Sequence, residues 1–186
     1  MPRIAIFASG NGSNAENLFH YFSQHKIAEI SLIICNNLQA GILARAQNLG
    51  IPVLLIHKNS LYQQNVVENW LISLKIDWIV LAGFLWKIPE KLIALYPKKI
   101  VNIHPSLLPK YGGKGMYGMR VHEAVIAAGE TESGISIHFV NEAYDEGAII
   151  FQARCPIEMD ETADSLARKI HQLEYEHFPK VLASLF

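Results

Sequence analysis

Cysteine is scarce in this sequence: only Cys35 and Cys155 occur among 186 residues, each inside an apolar, strand-like stretch. Buried thiols are the expected reading, ahead of a bridge or a metal site. Two buried thiols fit a reducing compartment, so the cytoplasm is the expected location. Charge of one sign is missing as well. Sixteen Lys and Arg stand against seventeen Asp and Glu, for a formal net charge of −1, and the basic residues are scattered along the chain. Without a basic stripe, neither a nucleic-acid nor an acidic-membrane surface is expected. No apolar run approaches the ~20 residues of a membrane span, and the chain enters a strand by Arg3 without a charged leader and an apolar targeting core. The expectation is a soluble, unexported protein that forms one domain over residues 1–186, long enough to bury a core without staples.

What is present is alternation. Short apolar runs at Ile4–Ala8, Ile30–Cys35, Val53–Ile56, Trp78–Ala82 and Ile100–His104 are separated by segments of helical period such as Ala40–Leu49 and Tyr62–Leu74. Near-continuous apolar strands are buried on both faces, so this rhythm predicts a doubly wound α/β fold around a mostly parallel, twisted sheet. After His104 the rhythm changes. A Pro/Gly-rich stretch, Pro105–Gly118, leads to a short helix near His122–Ala128. Two strands at Gly134–Val140 and Ala148–Pro156, joined across Asn141–Gly147, then read as an antiparallel pair. Thr162–Leu185 closes the chain as a helix, with a break expected at Pro179.

The stretch "ASGNGSNAENL", Ala8–Leu18, sets Gly10 and Gly12 between a strand and a helix, where backbone N–H groups and the helix dipole favour an anion. A dinucleotide site would need an acidic residue at the end of the second strand, but Cys35, Asn36 and Asn37 stand there. No Gly-Lys-Ser/Thr ends the loop, which excludes a Walker-type triphosphate site. A single phosphate group fits better, with Ser13 and Asn14 adding side-chain donors. The plainer alternative is a tight turn and a helix cap built by the same Ser and Asn.

"VNIHPSLLPKYGG", residues 101–113, breaks the pattern of a buried strand. Asn102 and His104 fall on one face by the two-residue side-chain period, at the carboxyl end of the strand, where open parallel sheets bind ligands. Pro105 stops the strand and orders the loop beyond the His. An amide donor beside an imidazole suits acyl transfer to an amine, in which an oxyanion needs donors and a proton must leave the nucleophile. An acidic partner is wanted, and the turn "NEAYDEG" offers Glu142, Asp145 and Glu146 without choosing among them. His122, His138 and Trp78 read as structural residues.

The motifs "SGNGSN", "LAGF" at Leu81–Phe84, "NIHPSLLPKY" at Asn102–Tyr111, "HFV" at His138–Val140 and "DEG" at Asp145–Gly147 give a chain that resembles the folate-dependent formyltransferases from end to end. The resemblance implies a Rossmann-like formyltransferase fold and 10-formyltetrahydrofolate as co-substrate, with no metal. It implies Asn102, His104 and Asp145 as the catalytic set, which selects Asp145 from the turn. "GNGSN" points within the family to glycinamide ribonucleotide as acceptor, its phosphate at Gly12, Ser13 and Asn14 and its ribose hydroxyls at Glu174. Without the resemblance, Glu174 would read as an exposed helical acid. The pterin would be lined by Leu81, Phe84, Leu85, Trp86, Lys87, Ile88, Val140 and Tyr144. The segment departs from the family pattern at Leu85, Trp86 and Lys87, where Met-Arg-Ile is common, and Lys110–Ala124 is longer than usual. The expected form is a monomer or homodimer acting in purine biosynthesis. The C-terminal domain of methionyl-tRNA formyltransferases and the N-terminal domain of formyltetrahydrofolate deformylases are not expected. A non-catalytic nucleotide-binding module is the alternative from a different class.

Overall fold

The computed structural model describes residues 1–186. In chain order its elements are β1 (Arg3–Ala8), α1 (Ser13–His25), β2 (Glu29–Cys35), α2 (Ile42–Leu49), β3 (Val53–Leu55), α3 (Lys58–Tyr62), α4 (Val66–Ser73), β4 (Trp78–Leu81), α5 (Glu90–Leu95), β5 (Ile100–His104), α6 (Met119–Ala127), β6 (Glu132–Phe139), β7 (Ile149–Pro156) and α7 (Ala163–Ala183). The strands form one seven-stranded sheet in the order β3-β2-β1-β4-β5-β6-β7. The first five are parallel, and β6 and β7 join antiparallel. The sheet is thus the expected doubly wound one with an antiparallel C-terminal region.

Side-chain alternation divides the core between the two faces. Ile4, Ile6 and Ala8 of β1, with Val101 and Ile103 of β5, pack under helices α1, α2, α6 and α7. Ala5 and Phe7, with Ile79, Leu81 and Ile100, pack under α3, α4 and α5. Each buried Ile, Leu or Phe contributes about 1.5–3 kcal/mol, so burial on both sides holds the parallel strands firmly.

The helices depart from the sequence expectation in three places. The helical period over Tyr62–Leu74 yields only α4, Val66–Ser73, and the separate helix α3 ends at Tyr62; Leu61 of α3 and Val67 of α4 are both fully buried. In an unbroken helix they would point about 120° apart, and the break at residues 63–65 turns both toward the sheet. Helix α5 arises in a polar-flanked run after Pro89 that carries no clear helical period, and α6 begins ahead of His122, at Met119. Pro179 does not break α7. Proline leaves the carbonyl four residues earlier without its partner, and that carbonyl, Tyr175 O, accepts instead from Asn17 Nδ2 at 3.0 Å.

Cys35 is buried, whereas Cys155, expected to be buried as well, is half-buried because β7 is an edge strand. Strands β2 and β7 lie five strand spacings apart in the sheet order, roughly 24 Å at ~4.8 Å each, so the two thiols cannot bridge. No helix is long and apolar enough to cross a membrane.

Candidate active site

Because β1, β4 and β5 are parallel neighbours, the segments that leave them emerge along one edge of the sheet. These are the glycine loop after β1, the Ala82–Ile88 segment after β4 and the Pro-rich loop after β5. The sheet changes direction at β5, where Asn102 stands opposite His138 and His104 opposite Ser136 on the antiparallel β6. Directly opposed residues share a face. Four polar side chains therefore form a patch where an apolar sheet would be expected, and three of them, His104, Ser136 and His138, are almost wholly buried.

Asp145 turns back into this patch. It occupies the left-handed region at φ 56°, a conformation that Asp tolerates better than most residues. Its Oδ2 accepts from Gly113 N–H at 2.9 Å and lies 3.6 Å from His104 Nδ1. Its Oδ1 lies 3.4 Å from Asn102 Nδ2 and 3.6 Å from His138 Nε2. Glu142 and Glu146 of the same turn are exposed. The structure thus brings Asn102, His104 and Asp145 together.

The Pro-rich loop locks the imidazole. Tyr111, at φ 55°, turns its carbonyl oxygen toward His104, whose Nε2–H donates to it at 2.8 Å. The Tyr111 hydroxyl donates to Glu130 at 2.9 Å, and Lys110 Nζ pairs with the same carboxylate at 2.8 Å. Ser106 Oγ donates to Lys110 O at 2.7 Å, while Ser136 Oγ donates to Ser106 O at 2.6 Å. With Nε2 committed to Tyr111, the Nδ1 edge of His104 is the one turned toward Asp145.

Burial lowers the His104 pKa from its ordinary 6.5, against the opposing pull of Asp145 and the Tyr111 carbonyl. The imidazole is therefore neutral at rest near pH 7. For Asp145, burial pushes the pKa up, but its polar surroundings, the Gly113 N–H among them, outweigh it, and the carboxyl sits below its ordinary 3.8.

In the glycine loop, Gly12 is the N-cap of α1 at φ 79° and provides no side-chain cap. Neither Ser13 nor Asn14 caps the helix, so the first N–H groups of α1 keep their capacity for an outside acceptor. A Cβ on Gly12 would lie 2.3 Å from Ile42 Cδ1 and 2.9 Å from Ile42 Cα, so the position is closed to larger residues. Arg45, which no sequence motif singles out, braces the loop by donating to Asn11 O at 2.9 Å and pairing with Glu16. Asn14 Nδ2 donates to Glu174 Oε2 at 2.9 Å across 160 residues. Glu174 is buried rather than exposed on its helix, and burial raises its pKa against the Asn14 amide and the nearby His171.

The Ala82–Ile88 segment is tied to the glycine loop by Ser9, whose N–H donates to Gly83 O and whose Oγ accepts from Leu85 N–H, both at 3.0 Å. Phe84 stacks edge-on against Phe7 and Trp86 at 5.2 and 6.2 Å between ring centroids. Phe84, Trp86 and Val140 are half-buried against the second core face. Leu81 and Ile88 are sunk in that core beneath them, while Leu85, Lys87 and Tyr144 are exposed. Tyr62 Oη donates to Lys87 O at 2.9 Å and pins the segment from outside.

One residue of the patch reads as merely structural from sequence. His138 is 2% exposed and its Nε2 lies 3.0 Å from Asn102 Nδ2. A signal exists: Ser136 and His138 alternate with Ile135, Ile137 and Phe139 just as Asn102 and His104 alternate with Val101 and Ile103.

Residues 2–182 match the family described as formyl transferase. The chain is 38% identical over 189 residues to a chloroplastic phosphoribosylglycinamide formyltransferase of Vigna unguiculata, a match that covers 98% of this chain and 60% of that protein. It is 36% identical over 187 residues to a phosphoribosylglycinamide formyltransferase of Haemophilus influenzae, covering 98% and 86%. The crystal structure of glycinamide ribonucleotide transformylase 1 from Geobacillus kaustophilus superposes with a TM-score of 0.91 at 34% identity, covering 100% of this chain and 98% of that one. With sequence and fold in agreement over nearly its whole length, the chain belongs to the formyl transferase family.

Proposed function

We propose that this chain transfers the formyl group of 10-formyltetrahydrofolate to the primary amine of glycinamide ribonucleotide, a step of purine biosynthesis. The observation that carries the proposal is the convergence of Asn102 Nδ2 and His104 Nδ1 on Asp145, at 3.4 and 3.6 Å, on the same sheet edge as an uncapped glycine loop. The names of the relatives point the same way.

The amine lone pair attacks the formyl carbon and forms the new C–N bond, and the carbonyl oxygen takes up negative charge. Asn102 Nδ2 donates to that oxygen the hydrogen that otherwise faces Asp145 Oδ1 at 3.4 Å, the weaker of its two contacts. His104 is neutral at rest, but charge developing beside it favours its protonated form. It takes a proton from solvent water, offers Nδ1–H as the second donor, and returns that proton to solvent when the intermediate collapses. Nε2–H stays on Tyr111 O throughout, so the ring need not reorient. Ionised Asp145 holds the imidazolium and, through a water, takes the proton of the attacking nitrogen toward folate N10. Collapse of the tetrahedral intermediate breaks the bond to N10, which leaves protonated. Stabilisation of the oxyanion and positioning of the two reactants supply the rate, and no covalent enzyme intermediate is required.

The phosphate would sit on the N–H groups of Gly12, Ser13 and Asn14 at the start of α1, with Glu174 facing the ribose hydroxyls. The pterin would occupy the surface of Phe84, Leu85, Trp86, Lys87, Val140 and Tyr144, over Leu81 and Ile88. Mixing the protein with both compounds and following folate absorbance tests the proposal. Donor consumption that depends on the ribonucleotide is the expected result. Consumption without it would mean hydrolysis, and none would leave a binding module.

A further inference from the structure

His138 makes no contact that the formyl-transfer steps require, yet it is buried in the middle of the constellation. Its Nδ1 lies 2.9 Å from the carbonyl oxygen of Phe139. A carbonyl only accepts, so Nδ1 carries the hydrogen and, in the neutral ring, Nε2 is left as a bare lone pair. That lone pair is 3.0 Å from Asn102 Nδ2. On its other side the same nitrogen of Asn102 meets Asp145 Oδ1 at 3.4 Å. Were the carboxamide turned over, Asn102 Oδ1 would face two acceptors, and both hydrogen bonds would become repulsions.

From this chain of contacts we infer that His138 is a positioning residue, whose main-chain-locked tautomer fixes the NH2 end of the Asn102 carboxamide toward the reacting carbonyl. The inference rests on the reading of Asn102 as an oxyanion donor. An unheld carboxamide would divide its time between two orientations, one of which presents an oxygen to the developing negative charge. The β5–β6 register enforces the arrangement, since Asn102 and His138 are directly opposed. Preorganised donors of this kind raise turnover rather than ground-state affinity.

The test uses two polar replacements that differ in where they place an acceptor. Gln puts its amide oxygen near the site of Nε2, and Asn puts its amide near Nδ1. His138→Asn should lower kcat about tenfold or more with both KM values nearly unchanged, a part of the loss expected for removing an oxyanion donor. His138→Gln should recover most of that loss. In an Asn102→Ala background, His138→Asn should cost nothing further. Nitrogen-15 NMR of the folded protein should show a protonated Nδ1 and a bare Nε2 on His138, and His138→Asn should shift the Asn102 side-chain amide. An unchanged kcat in His138→Asn, a loss that persists without the Asn102 carboxamide, or a protonated Nε2 would each overturn the inference. If Asn102→Ala itself turned over normally, the oxyanion reading would fail, while the NMR tautomer and amide shift would still decide whether His138 orients Asn102.

Discussion

Acid should destabilise this protein through His122, by an amount the structure lets us work out. His122 is 3% exposed on α6, and its Nδ1 has no hydrogen-bond partner. Burial, reinforced by His171 and His104, lowers its pKa from 6.5 to about 4. The unfolded chain therefore takes up a proton below pH 6.5 while the folded chain resists it until about pH 4. Stability is intact above 6.5 and falls as pH drops through that window, by about 1.4 kcal/mol per pH unit. At about pH 5 the loss from this group alone reaches roughly 2 kcal/mol. Other groups also titrate there. His104 acts in the same direction, whereas Glu174, raised by burial, acts in the opposite one. A comparison with His122→Leu isolates the effect. Leu is apolar, similar in bulk and leaves no orphan nitrogen, so at about pH 7.5 the variant should be as stable as the wild type or more so. Urea unfolding followed by tryptophan fluorescence at about pH 7.5 and about pH 5 is the assay. The wild-type midpoint should fall by about 1 M more than that of His122→Leu, for a slope of ~2 kcal/mol/M. Parallel falls in the two proteins would refute the reasoning, since the acid sensitivity would then lie elsewhere.

The geometry of the site and of the sheet sets further outcomes. Asn102→Ala and His104→Ala should each slow single-turnover formyl transfer by about a hundredfold to a thousandfold, and a wild-type rate in either would remove that residue from the mechanism. Gly12→Val should raise KM for the ribonucleotide strongly while leaving KM for the folate close to normal, because its Cβ would approach Ile42 Cδ1 to 2.3 Å at φ 79°; equal changes in both would point to general disruption. Gly134→Ala should destabilise the β6–β7 pairing by about 3 kcal/mol or more, since the new methyl would lie 1.9 Å from Ala153 O, and an unchanged melting temperature would contradict the packing of those strands.

Much of this molecule is written locally. The parallel core was legible because Ile4–Ala8, Ile30–Cys35 and Trp78–Ala82 are short apolar runs divided by helical periods, and a strand buried on both faces has few other ways to appear. Asn102 and His104 were legible for the same reason in reverse, as two polar residues sharing one face of an apolar strand. The glycine loop announced itself by its position between a strand and a helix. Helix ends and breaks were less legible. Whether Tyr62–Leu74 continues or turns depends on where the sheet lies, and Pro179 is tolerated only because Asn17, on another helix, takes the carbonyl it frees.

The remainder belonged to the tertiary structure. Nothing in the spacing of Glu142, Asp145 and Glu146 distinguishes them; resemblance to a family selected Asp145, and the fold supplies the physical grounds, a left-handed turn and the Gly113 N–H that receives its carboxylate. Glu174 is an ordinary helical acid until α7 packs beside α1 and buries it against Asn14. His138 meets Asn102 only through the register of two antiparallel strands. Periodicity along a chain records which way each side chain faces, because that is set by the backbone's own geometry. Which distant residues then meet is set by strand order and register, and those are decided by the packing of the whole sheet.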